Sequence, residues 1–219
     1  MKKIILITGG QRSGKSRQAE EMALTLADNP VYMATAHVWD DEFRERVSRH
    51  QQRRGPQWTN IEEEMFLSRH DVTGRVVVVD CVTLWLTNFF FNSSQSTETT
   101  DIGQDSETTG IGQDSETTGV GQSTETTDIG KDSETMGVGQ STGTCNVDQT
   151  LEAAKREFDQ LTTQDATFIF VTNEIGSGGV SSNALQRQFT DLEGWMNQYI
   201  ASKADEVIFM VSGIAIKIK

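Results

Sequence analysis

Lys3-Ile4-Ile5-Leu6-Ile7-Thr8-Gly9-Gly10-Gln11-Arg12-Ser13-Gly14-Lys15-Ser16 joins an apolar run to a glycine-rich turn. Lys3–Thr8 is an apolar run ending in glycines and reads as the first strand. Gly9, Gly10, Gln11, Arg12, Ser13, Gly14, Lys15 and Ser16 then fit G-x-x-x-x-G-K-[ST]. In such a loop the glycines let successive backbone N–H groups turn inward around a phosphate, and the next helix aims its positive end at the same point. Lys15 is placed to reach the β- and γ-phosphates of a nucleoside triphosphate, and the Ser16 hydroxyl to ligate Mg2+. A chance glycine-rich turn would share the spacing but not the strand before it and the helix after it.

The pattern continues outward from this loop. Ser16–Ala27 reads as a helix, Val31–Ala34 as a short strand and Asp40–Arg54 as a charged helix with an acidic first turn. Arg75–Asp80 holds four consecutive valines and is the strongest strand in the chain. Val82–Phe91 is expected to be helical, as are Asp148–Leu161 and Leu185–Ala204. Ala166–Thr172, Glu206–Val211 and Ile214–Ile218 are expected to be strands. Strands alternating with helices predict an α/β fold of the phosphate-loop NTPase type, a mostly parallel sheet flanked by helices and closed by an antiparallel C-terminal strand. A metal held by Ser16 needs a carboxylate at the end of a neighbouring buried strand, and Asp80 fits; its plainer role is a helix N-cap. A regulatory GTPase would carry N-K-x-D, and the nearest segment, Thr172-Asn173-Glu174, lacks the lysine and the aspartate.

Composition must be read in two parts. The chain has 219 residues, a length for one domain or one domain with an insertion, and a formal net charge of −13. Residues 93–144 hold five Asp, five Glu and one Lys, so that segment alone contributes −9 and the rest only −4. From Asp101 it repeats every nine residues, as in Asp101–Thr109 and Gly110–Thr118. Gly110, Gly112 and Asp114 resemble the frame of the calcium-binding β-roll, but Glu116 stands where that unit needs an apolar side chain. With no aromatic residue the segment buries too little to offset about 1–2 kcal/mol of backbone entropy per residue. It is expected to be a disordered low-complexity insertion, residues 93–144, within a single domain spanning 1–219. The acidity argues against nucleic-acid binding. Two cysteines are too few for a disulfide framework. The four-residue apolar run after Lys3 is short of the about 7–15 of a signal peptide, and no stretch nears the about 20 of a membrane span. A cytoplasmic protein is expected.

A more specific reading comes from the motifs together. To Gly9–Ser16 the chain adds Asp40-Asp41-Glu42 and Arg46-Val47-Ser48-Arg49-His50-Gln51-Gln52-Arg53-Arg54. Next come Trp58, Asp80-Cys81-Val82-Thr83-Leu84-Trp85-Leu86-Thr87-Asn88 and Val171-Thr172-Asn173-Glu174-Ile175-Gly176. Arg187, Phe189, Asp191, Gly194, Asn197-Gln198, Ala204-Asp205-Glu206-Val207 and Val211-Ser212-Gly213 complete the set. In this order they resemble the bifunctional adenosylcobinamide kinase / adenosylcobinamide-phosphate guanylyltransferase family of cobalamin biosynthesis. The resemblance implies two reactions: phosphorylation of adenosylcobinamide by GTP or ATP, and transfer of GMP from GTP to the resulting phosphate. It places a guanylylated histidine at His50, which by itself reads as a solvated side chain on a charged helix. An imidazole nitrogen can attack the GTP α-phosphorus, and Arg49, Arg53 and Arg54 would offset triphosphate charge. By the same resemblance Ala34, Thr35, Ala36, Gln51, Gln52, Arg53, Arg54 and Glu62 line the nucleotide site with Asp80, and the protein is a homotrimer. His37 and His70 match no such position. Ser181-Ser182 and Thr190 depart from the family's usual proline and arginine, on the corrinoid side of the site. Other readings are a phosphate-loop kinase without guanylyl transfer and a non-catalytic nucleotide-binding module.

Overall fold

The computed structural model describes residues 2–37, 54–95 and 146–219, with residues 93–95 described as helical backbone only. Seven strands form one sheet: β1 (Lys3–Gly9), β2 (Val31–Ala34), β3 (Thr59–Glu62), β4 (Val76–Asp80), β5 (Thr167–Val171), β6 (Glu206–Val211) and β7 (Ile214–Lys217). Among the described residues four α-helices accompany them: α1 (Lys15–Leu26), α2 (Val82–Gln95), α3 (Val147–Leu161) and α4 (Ala184–Lys203). The strand order is β3-β2-β4-β5-β1-β6-β7. Every neighbouring pair is parallel except β6 with β7, which is antiparallel.

The period-two alternation of the strands builds two cores. Ile4 and Leu6 of β1 share one face with Val77, Val79, Phe168 and Phe170, packed by Trp85, Phe158, Leu192 and Met196 from α2, α3 and α4. Ile5 and Ile7 point the other way with Val76, Val78, Ile169 and Val171, covered by Ala19 and Ala23 of α1. This explains the uninterrupted apolar runs of β1 and β4. Each buried branched side chain contributes about 1.5–3 kcal/mol relative to exposure, so a polar residue at any of these positions would face a core. α3 and α4 each start at an asparagine: Asn146 accepts from Gln149 N–H and Asn183 from Gln186 N–H, both at 3.1 Å.

Within the described residues the expected strands and helices are present, with small differences in extent. α2 runs four residues past Phe91, to Gln95. β3 was not expected, because Thr59, Asn60 and Glu62 are exposed and only Ile61 is half-buried, which leaves no apolar alternation. It forms by pairing with β2 at the sheet edge, Val31 opposite Thr59 and Ala34 opposite Glu62. The expected helix Asp40–Arg54 lies, apart from Arg54, outside the described residues, as does the repeat segment beyond Gln95. No described helix is long and apolar enough to cross a membrane.

Candidate functional site

In a parallel sheet all carboxyl ends of the strands fall on one edge, where α/β proteins bind ligands. Here that edge collects Gly9 at the end of β1, Ala34 at the end of β2, Glu62 at the end of β3, Asp80 at the end of β4, and Thr172-Asn173-Glu174 after β5. The loop of residues 10–14 links β1 to α1. Gly9 has φ +147°, and a Cβ there would sit 2.4 Å from the Met210 carbonyl oxygen, so glycine alone fits. Gly14, at φ 97°, precedes α1 with no side-chain cap, which leaves the first N–H groups of the helix directed into the loop. The chain also passes through a left-handed turn at Arg12, φ 58°. The β6–β7 turn props the loop from below, as Gly213 N–H donates to the Ser13 carbonyl at 3.0 Å.

Lys15 is buried, and its Nζ donates to the Gly10 carbonyl at 2.6 Å. Burial lowers its pKa, while nearby acidic groups, Asp80 and Glu193 among them, oppose that shift. The Ser13 hydroxyl is buried with no hydrogen-bond partner. An orphaned buried hydroxyl beside an ammonium and a helix N-terminus suits phosphate oxygens.

Asp80 is gripped from one side. Tyr32 donates its hydroxyl to Asp80 Oδ2 at 2.6 Å. Burial, then the Asp80 carboxylate, raises the Tyr32 pKa well above its ordinary value, so the phenol remains the donor. The Arg54 guanidinium lies 3.6 Å over the Tyr32 ring, its Nε donates to Asn60 Oδ1 at 2.9 Å, and its Nη1 is buried without a hydrogen-bond partner. Trp58 closes the other edge of the tyrosine at 5.9 Å between ring centroids. The position of Asp80 corrects one expectation: β4 is not beside β1, because β5 lies between them. The residues present nevertheless fit Mg2+, which is commonly held by one or two carboxylates with substrate phosphates and water. Asp80 Oδ1 and the Ser16 hydroxyl, at the start of α1, are the oxygen donors that would hold it. Among the described residues no cluster of three or more His, Cys, Asp or Glu forms an all-protein metal cage.

The other expected site residues divide. Thr35 is fully buried and its hydroxyl is taken up by the fold: it donates to the Cys81 carbonyl at 2.8 Å and accepts from Cys81 N–H at 2.9 Å. Its own carbonyl accepts from Asn88 Nδ2 at 2.8 Å. Thr35 therefore offers a ligand no free hydroxyl and instead ties the end of β2 to the start of α2. Ala34 and Ala36 are half-buried beside it, and Glu62 is exposed at the same edge. His50, Gln51, Gln52 and Arg53 lie outside the described residues; Arg54, the last of that run, is the member seen beside Tyr32 and Asn60. His37 and His70 each face a carboxylate, Glu64 at 2.7 Å and Glu63 at 3.4 Å.

Two residues here escaped motif reading, Tyr32 and Glu193, while Thr83 and Ser212-Gly213 stood in the quoted motifs without a role. Only Glu193 left a signal in the sequence, an acid inside the Leu192, Met196, Ile200 stripe of α4.

The sequence model of the family described as cobinamide kinase / cobinamide phosphate guanyltransferase matches residues 5–218. The chain is 32% identical to the bifunctional adenosylcobalamin biosynthesis protein CobU of Escherichia coli, with 99% of each chain covered. It is 30% identical to the CobU protein of Salmonella typhimurium, again with 99% of each covered. It is 29% identical to the bifunctional adenosylcobalamin biosynthesis protein CobP of Pseudomonas aeruginosa, covering 98% of this chain and 96% of that one. Among solved structures, a type III secretion ATPase of pathogenic bacteria superposes with TM-score 0.47 at 9% identity, covering 99% of this chain and 57% of that one. So loose a likeness carries no functional weight.

Proposed function

Because the chain belongs to the cobinamide kinase / cobinamide phosphate guanyltransferase family, we propose that Gly9–Ser16 cradles the nucleotide and that His50 carries GMP between the two halves of the second reaction. The protein is an adenosylcobinamide kinase and adenosylcobinamide-phosphate guanylyltransferase of cobalamin biosynthesis. The observation that carries the site assignment is the loop itself: a buried Lys15, an unpartnered Ser13 hydroxyl and the start of α1 converge at the end of β1.

In the kinase reaction Lys15 and the N–H groups at the start of α1 hold the β- and γ-phosphates of ATP or GTP while the corrinoid hydroxyl takes the γ-phosphoryl group. Mg2+, held by Ser16 and Asp80, would neutralise phosphate charge there. In the transferase reaction a His50 ring nitrogen attacks the GTP α-phosphorus. An N–P bond forms and the bond to pyrophosphate breaks. An oxygen of adenosylcobinamide phosphate then attacks the same phosphorus, releasing the imidazole and giving adenosylcobinamide-GDP. Arg54 supports this reading, with a buried unpartnered Nη1 on a guanidinium stacked over Tyr32, the donor to Asp80; Gln51, Gln52, Arg53 and Glu62 would complete the nucleotide contacts with Ala34, Thr35 and Ala36. The Thr35 contribution is through its backbone position, because its hydroxyl is already engaged by Cys81. We assign the enzyme to the cytoplasm on its low cysteine count, and to a homotrimer. The trimer would give a role to the exposed isoleucines of the edge, Ile214, Ile216 and Ile218.

Incubation with α-labelled GTP and Mg2+ tests the histidine. Acid-labile, base-stable label is expected on the protein and is expected to vanish in His50→Ala. Undiminished label in that variant would move the nucleophile elsewhere. Product analysis separates the bifunctional enzyme from a kinase alone, which would yield phosphorylated cobinamide and no GDP adduct.

A further inference from the structure

The buried side of α4 carries Leu192, Met196 and Ile200, and among them a carboxylate, Glu193, whose residue is 0% exposed. Burying a carboxyl group is costly unless it is compensated, yet Glu193 has little compensation. Its Oε1 accepts from the Thr83 hydroxyl, and its Oε2 is buried with no hydrogen-bond partner. Fold stability alone would be better served by an apolar side chain here.

What Glu193 does hold is a junction. Thr83 is the second residue of α2, three past Asp80. Its Oγ1 accepts from Asn173 N–H at 3.1 Å and from Asn173 Nδ2 at 3.0 Å. With two N–H groups arriving, the hydroxyl's own proton goes to Glu193. One turn along α4, Asn197 accepts from the Thr172 hydroxyl at 2.7 Å and donates to the Asn173 carbonyl at 3.0 Å. On its far side the same segment meets the phosphate loop: Glu174 N–H donates to the Gly9 carbonyl at 3.2 Å, and Glu174 Oε1 accepts from the Thr8 hydroxyl at 2.6 Å. Thr172-Asn173-Glu174 is thus stapled between α4 and the last residues of β1.

We propose that Glu193 is a positioning residue of the phosphate site, acting through Thr83 to fix Asn173 and, with it, Glu174 against the phosphate loop. The nucleotide is gripped by the loop itself, so loosening this staple acts on the alignment of the transferred group more than on nucleotide affinity. The proposal rests on Gly9–Ser16 being the nucleotide cradle.

The test is steady-state phosphorylation of cobinamide by Glu193→Ala, Thr83→Ala, the double variant, Glu193→Gln and, as control, Lys15→Ala. Glu193→Ala and Thr83→Ala are each expected to lower kcat about tenfold, with nucleotide KM changed by less than about threefold. The double variant is expected to be no slower than the slower single one, because both remove the same link. Glu193→Gln keeps an oxygen for the Thr83 hydroxyl and is expected to stay within about threefold of wild type. A folded Glu193→Ala enzyme at wild-type kcat, or losses that multiply in the double variant, would overturn the proposal. If Glu193→Ala does not fold, Thr83→Ala decides, and wild-type turnover there overturns it equally. Full activity in Lys15→Ala would instead refute the cradle, whereas a dead Lys15→Ala beside an unaffected Glu193→Ala refutes only the role of Glu193.

Discussion

Glu193 also makes a prediction about stability. Burial pushes its carboxyl pKa up to about 7; the Thr83 hydrogen bond and the Lys15 charge pull it back, and Glu174 pushes it further up. The folded protein therefore binds this proton more tightly than the unfolded chain, whose glutamates titrate near 4.5. Stability tied to this group is fully present below that lower value and is lost as pH rises toward about 7, at a rate approaching about 1.4 kcal/mol per pH unit. Glu193→Gln carries no ionisable group, so its Tm relative to wild type is expected to rise between about pH 5 and about pH 8. An unchanging difference across that range would mean that Glu193 is ionised in the folded protein throughout. No motif exposes such a residue, because motifs record ligand chemistry, whereas Glu193 reaches the phosphate loop only through Thr83 and Asn173. The loop glycines were legible for the opposite reason: the positive φ at Gly9 and Gly14 is a property of their own stretch of chain, to which Met210 only adds a close approach at Gly9.

At the scale of elements, those that packing explains were the ones visible in the sequence. β1, β4 and β5 are apolar on both faces because helices cover both faces. α3 shows a clean stripe because Leu151, Ala154, Phe158 and Leu161, its buried apolar residues, recur at helical spacing toward the core. β3 was invisible since its pairing with β2 is backbone hydrogen bonding, which leaves no side-chain pattern. The same limit hid strand order: Asp80 was legible as the end of a buried strand, but nothing local revealed that β5 lies between it and β1. From α3 the Phe158 ring packs 5.1 Å from Phe170 of β5 and 5.9 Å from Tyr199 of α4. Truncation there leaves a void that three elements must share. Phe158→Ala is expected to cost about 3–5 kcal/mol, read as a lower urea midpoint at unchanged m-value. Since α4 carries Glu193 and Asn197, the same variant is expected to lose turnover at temperatures below its own melting point. A melting change with unaltered turnover would show that α4 holds its register without this ring.

At the scale of the whole molecule, the charge belongs to a segment rather than to the enzyme. Residues 96–144 contain the same five Asp, five Glu and one Lys as the longer tract, so removing them takes the net charge from −13 to −4. α2 and α3, which flank the segment, contribute Trp85, Phe90, Leu151 and Phe158 to one core. Their association is therefore set by buried surface and not by the connection. Closing a loop about fivefold shorter recovers about 1.4 kcal/mol of chain entropy, a gain small beside that core. Replacing residues 96–144 with about ten Gly and Ser residues is accordingly expected to leave kcat within about twofold and Tm equal or slightly higher, while the isoelectric point rises from about 4.6. Every residue proposed for the two reactions lies outside 96–144, so the replacement keeps all of them. A loss of phosphorylation alone would tie the repeat to the corrinoid side of the site. Loss of both reactions together with a lowered Tm would make it a structural part of the fold.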